Sequence, residues 1–83
     1  MAKKIGRTGS VTARFMMRTG KQHQERGNIY QAIYDYFNVI DRYPDSDEAQ
    51  EAYRLLLKIA EDFEKNGQLY AARHLYQRID EVS

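Results

Sequence analysis

The sequence predicts an all-α fold of four helices arranged as two antiparallel hairpins, and three observations carry that prediction. Apolar residues recur in steps of three and four along most of the chain, and nowhere do they alternate with period two. Chain breakers at Gly27, Tyr43-Pro44 and Asn66-Gly67 divide the helical pattern into four segments. The chain also repeats itself. Gly27-Asn28-Ile29-Tyr30-Gln31-Ala32, followed by Tyr36 and Val39, returns as Gly67-Gln68-Leu69-Tyr70-Ala71-Ala72, followed by Tyr76 and Ile79. A repeat of this length marks a stacked helical array, and such arrays commonly bind other proteins.

Residues 1–10 hold Gly6, Gly9 and several basic groups, with Ile5 the only large apolar side chain beyond Met1. They read as a flexible basic arm, and residues 11–83 as the helical domain. Ser10 is a candidate N-cap for a first helix over about 11–26. Its expected core face is Phe15 or Met16, then Thr19, Gly20 and His23. Gly20 costs about 1 kcal/mol in helix propensity relative to Ala, so its presence predicts a close approach by another helix. The second helix, about 28–42, carries a wide stripe of Ile29, Ala32, Ile33, Tyr36, Phe37 and Ile40. Tyr43-Pro44 ends it, because the residue before a proline is pushed out of the helical region.

Asp45 and Ser46 both suit the next N-cap, and Asp45 with Glu48 has capping-box spacing. The third helix should run to about Lys65, burying Ala49, Ala52, Tyr53, Leu56, Ile59, Ala60 and Phe63. Asn66-Gly67 should close it with a left-handed residue. The fourth helix, about 68–82, presents Leu69, Ala72, Leu75, Tyr76, Ile79 and Val82.

These positions resemble the tetratricopeptide repeat. Gly20, Gly27, Ala32, Tyr36 and Pro44 match its small, turn, aromatic and closing positions in repeat one, about 11–44. Leu56, Ala60, Phe63, Gly67, Ala72 and Tyr76 match them in repeat two, about 45–83. The resemblance implies a short right-handed solenoid of two hairpins. The repeat distance exceeds the usual 34 residues by lengthening the third helix. His23 stands where the family prefers an aromatic, and Met16 where it opens with one. Arg42-Tyr43-Pro44-Asp45-Ser46 with Ala49 and Ala52 is similar to long-repeat members found in bacterial envelope-assembly lipoproteins, which are exported.

In that family the first helix of each pair lines a concave groove. By position, the resemblance places Arg14, Met17, Arg18 and Lys21 there from helix one, and Arg54, Leu57, Lys58 and Glu61 from helix three. Five cations would suit an acidic peptide, a terminal carboxylate or phosphates, with Met17 and Leu57 seating an apolar anchor. The competing reading is an ordinary solvated face. The paired asparagines of the family's carboxylate-clamp members are missing. On helix four, Arg73, Gln77 and Asp80 replace the Ile33, Phe37 and Ile40 of helix two, so the array is expected to end there with a polar face. Val11, Phe15 and Met16 have no preceding helix to cover them and form the expected surface of a homodimer.

Charge is segregated along the chain. Residues 1–27 hold seven Lys/Arg against Glu25 alone, and residues 28–83 hold six Lys/Arg against eleven Asp/Glu. Such polarity suits an acidic partner, nucleic acid, or a second copy. The absence of cysteine excludes disulfides, thiolate zinc ligation and thiol catalysis. No apolar run is long enough for a signal peptide or a transmembrane helix, and a cytoplasmic location is expected.

Signals for chemistry are weak. His23 and His74 sit on different helices without a ligand set. Asp45, Asp47, Glu48 and Glu51 lack the glycine of a calcium loop, and acids at a helix start follow from the helix dipole. Gly6-Arg7-Thr8-Gly9 lacks the strands of a KH domain, and no P-loop is present. No enzyme activity and no cofactor are expected. The sequence therefore reads as a scaffold or adaptor that binds an acidic or extended segment of a partner protein. The alternatives are nucleic-acid binding through the basic N-terminal segment and a self-assembling subunit. Tyr30, Tyr34 and Tyr70 lie off the main stripes, either as a second interface or as packing along the turns.

Overall fold

The computed structural model describes residues 11–83; the basic arm and its candidate cap Ser10 lie outside them. The fold is all-α: α1 Val11–Glu25, α2 Ile29–Arg42, α3 Asp47–Lys65 and α4 Leu69–Val82. Each helix packs on the next in the chain, and α1 also touches α3.

The repeat is written into the backbone at both hairpin turns. Gly27 and Gly67 have φ of 81° and 78°, a left-handed conformation that costs glycine no Cβ clash. The amides of Asn28 and Gln68 reach back to the carbonyls of His23 and Phe63, each at 2.8 Å. The glycine amides meet the carbonyls of Gln24 and Glu64 at 3.0 and 3.1 Å. This double return is the Schellman motif, which satisfies carbonyls the helix end would otherwise leave unpaired.

The turn between the hairpins works differently. Tyr43 leaves the helical region with its amide bonded to the Val39 carbonyl. Of the two candidate caps, Ser46 does the work. Its Oγ accepts from the Ala49 amide at 3.0 Å and donates to the Tyr43 carbonyl at 2.7 Å. Glu48 is therefore one residue too early to close a box with the cap, and instead sits with Asp47 in the first turn, where negative charge favours the helix dipole.

The core is continuous across both hairpins. It joins Ala32, Ile33, Tyr36, Phe37, Val39 and Ile40 of α2 to Ala49, Ala52, Leu56, Ile59, Ala60 and Phe63 of α3, and to Ala72, Leu75 and Ile79 of α4. Each large apolar side chain in it contributes about 1.5–3 kcal/mol of burial. The expected stripes of α2 and α3 are largely those observed, with Val39 added to the buried face of α2 and Ile29 and Tyr53 half-buried. On α4 only Ala72, Leu75 and Ile79 are buried and Tyr76 is half-buried; Leu69 and Val82, at the two ends of the helix where no neighbouring helix covers them, are exposed.

Helix α1 departs from expectation. Its buried residues are Ala13, Met17 and Gly20, whereas Phe15 is 62% exposed and Met16 only half-buried. The stripe turns because α1 must meet α3 as well as α2. The glycine behaves as its position predicts: a Cβ on Gly20 would stand 2.6 Å from Tyr36 Cε1, so the two helices approach as closely as a bare backbone permits. Tyr36 is fully buried there and donates to Gln24 Oε1 at 2.6 Å. Burial, and then the nearby Glu51, Asp35 and Glu25 carboxylates, push its phenol up to about 12.

One pair of equivalent positions in the two hairpins differs in polarity within the core. The second places Phe63 and Leu75 in the core. The first places His23 and Asp35 there, half-buried, with Nδ1 and Oδ2 2.7 Å apart. At the far end of the fold Arg73, Gln77 and Asp80 are exposed, a polar face where α2 presents Ile33, Phe37 and Ile40 to the core.

A candidate binding cleft between α1 and α3

Residues from the first turns of α3 face the middle of α1 across a cavity of about 540 Å³, within the size range of ligand sites. Helix α1 contributes Arg14, Met17, Arg18, Lys21, Gln22 and Glu25; α3 contributes Glu48 and Glu51. The periodicity of α1 puts Arg14, Met17, Arg18 and Lys21 on one side in steps of three and four. Packing of α1 on α3 then brings the two glutamates opposite.

Four of the eight residues expected to line a groove, Arg14, Met17, Arg18 and Lys21, are therefore gathered in one cleft. Met17 differs from its expected role. It is 3% exposed and belongs to the core, so it forms the cleft's floor rather than an accessible anchor. The other four lie elsewhere. Arg54 and Leu57 line a shallower depression with Tyr53, Ile79 and Asp80 at the α3–α4 end. Lys58 forms an ion pair with Asp62 at 3.6 Å, and Glu61 is exposed on the same helix.

The electrostatics of the cleft are mixed rather than basic. Lys21 Nζ lies 2.6 Å from Glu51 Oε2, which ties α1 to α3 and neutralises one of the three cations. Arg14 and Arg18 form no ion pair among the described residues. On the acidic side, Glu48 Oε1 is buried without a hydrogen-bond partner. Glu25, Glu48 and Glu51 were not among the residues expected to line the groove. The sequence signal for two of them was the acidic start of α3, which the helix dipole alone accounts for.

On the surface expected for a homodimer, Val11 is 72% exposed and Phe15 is also solvent-facing. Met16 is partly covered and packs against the core. Of the off-stripe tyrosines, Tyr30 stacks on Phe63 with ring centroids 6.1 Å apart while most of its surface stays exposed. Tyr34 and Tyr70 are exposed. Arg78 lies 4.2 Å over the Phe37 ring, a cation–π contact that closes the core edge between α2 and α4.

No helix among the described residues is long and apolar enough to cross a membrane. No family model, curated protein or solved structure matches the chain.

Proposed function

We propose that this chain is a non-catalytic interaction module of tetratricopeptide-like design, which grips an acidic or extended segment of a partner protein in the cleft between α1 and α3. The observation that carries the reading is the cleft itself: a cavity of about 540 Å³ with Arg14 and Arg18 on one wall and neither engaged in an ion pair among the described residues. Two guanidiniums one helical turn apart offer bidentate contacts to carboxylates along an extended strand of peptide. The near-repeat of the two hairpin turns supports a repeat scaffold of the solenoid kind, whose usual business is protein binding.

The test is a pull-down from nuclease-treated lysate with wild type and with Arg14→Glu/Arg18→Glu, the variant first shown to be folded by circular dichroism. A protein retained by wild type and lost by the variant supports the reading. Capture of nucleic acid alone, removed by nuclease and weakening steeply with salt as counterion release requires, would move the function to the basic N-terminal segment. Retention of the same protein by both forms would remove the cleft from the account.

A further inference from the structure

The cleft holds an anomaly that an acidic ligand does not explain. Glu48, half-buried as a residue, lines it, and its Oε1 is buried without a hydrogen-bond partner, the side chain forming no ion pair among the described residues. A buried carboxylate oxygen left unpaired is costly, and native structures rarely keep one without a reason. Lys21 does not serve it, being held by Glu51 at 2.6 Å. Glu25, from the end of α1, adds a further carboxylate with no salt bridge among the described residues. Arg14 and Arg18, on the same helix as Glu25 and across the cleft from Glu48, likewise form no ion pair among the described residues. Among the described residues the cleft thus presents two cations and two anions without an ion pair, beside the closed Lys21–Glu51 bridge.

We infer that the ligand of this cleft is a peptide segment of mixed charge, which places a lysine or arginine against Glu48 and a neighbouring carboxylate against Arg14 and Arg18. The inference rests on the reading of the cleft as a partner-binding site and specifies the chemistry of the segment it takes. A purely acidic segment satisfies the arginines but sets like charge against Glu25 and Glu48. A purely basic one does the reverse. Only a segment carrying both signs meets a complementary group for each of these charges, and the wrong polarity is penalised by repulsion, which is how charge patterns enforce specificity.

The experiment measures fluorescence anisotropy of three labelled peptides of equal length, all-glutamate, all-lysine and alternating Lys-Glu, with the full chain at fixed ionic strength. The alternating peptide should bind about tenfold more tightly than either homopolymer, the size of one charge-assisted contact. Glu48→Gln, which keeps the side chain's shape, should remove most of that preference and leave the all-glutamate peptide's affinity unchanged or improved. Glu25→Gln supplies the same readout from α1, independently of the α3 N-terminus. If all-glutamate binds most tightly and is released by Arg14→Glu/Arg18→Glu, while Glu48→Gln and Glu25→Gln change nothing, the mixed-charge inference falls and the acidic-segment reading stands. If no peptide responds to the arginine reversals, both fall.

Discussion

Replacing Gly20 by alanine sets two effects of known size against each other. Helix propensity alone favours the change by about 1 kcal/mol. The structure opposes it. An added Cβ would lie 2.6 Å from Tyr36 Cε1, 3.0 Å from Cδ1 and 3.3 Å from Asp35 Cβ, about 1 Å inside ordinary carbon contact at the closest point. The ring has nowhere cheap to go, since Tyr36 is fully buried and its hydroxyl is held by Gln24 at 2.6 Å. Overpacking of this kind costs about 1–3 kcal/mol, and turning the ring to relieve it would give up a hydrogen bond of about 1 kcal/mol. The clash should win. Gly20→Ala is expected to lose about 1–2 kcal/mol net and lower Tm by roughly 5–15 °C for a domain of this size, read by thermal circular dichroism. The second hairpin carries fully buried Ala60 at the equivalent position, opposite a Tyr76 that stays half-buried, so alanine is compatible with the hairpin and the penalty is specific to the first. A Tm that rises by several degrees, as propensity alone requires, would refute the close-approach argument.

Two further outcomes follow from the same interface. Replacing His23 and Asp35 together by their second-hairpin counterparts, as His23→Phe/Asp35→Leu, should be neutral or stabilising by about 1 kcal/mol in urea denaturation, while Asp35→Leu alone should destabilise, because breaking one half of a partly buried pair leaves the other unpaired; a double variant weaker than either single change would show that the polar pair itself holds the hairpin. Tyr36 has a folded-state pKa raised from 10 to about 12, so the protonated phenol favours the folded state. That stability is complete below about pH 10 and is lost as pH rises towards 12, amounting to roughly 3 kcal/mol at the upper end. Tyr36→Phe should therefore flatten the decline in stability over that interval, and an unchanged alkaline profile would contradict the assignment.

The four helices and the glycine turns of both hairpins were legible because their signals are local. Gly27 and Gly67 each follow a helical stripe at the point where a left-handed residue is needed. The stripes of α2, α3 and α4 are apolar enough that only one face could be buried. Helix α1 was not legible in the same way. Phe15 and Met16 are its most hydrophobic neighbours in sequence, yet Ala13, Met17 and Gly20 are the buried set. The choice between these faces is settled by where α3 lands on α1, a contact between segments far apart in the chain, and no periodicity within α1 records it.

The same long-range contact governs the cleft's electrostatics. Counted along the sequence, the N-terminal third is strongly basic, and that count points to an acidic ligand. Charge in a site, however, is set by what stands within a few ångströms and not by the run of residues that carries it. Arg14, Arg18 and Lys21 line one cavity, but the groups opposite them are Glu48 and Glu51, from the first turns of α3, rather than Arg54 and Lys58 further along. Glu51 neutralises Lys21 and so removes one cation from the ligand's reach. Glu48 then remains on the facing wall, half-buried, with its Oε1 lacking a hydrogen-bond partner among the described residues. On the mixed-charge proposal, its carboxylate is what distinguishes a cleft for any acidic chain from one that takes a cation in a defined place. It follows that substituting α3's first turn should alter ligand choice, and substituting the arginines should alter affinity, although all of them line a single cavity.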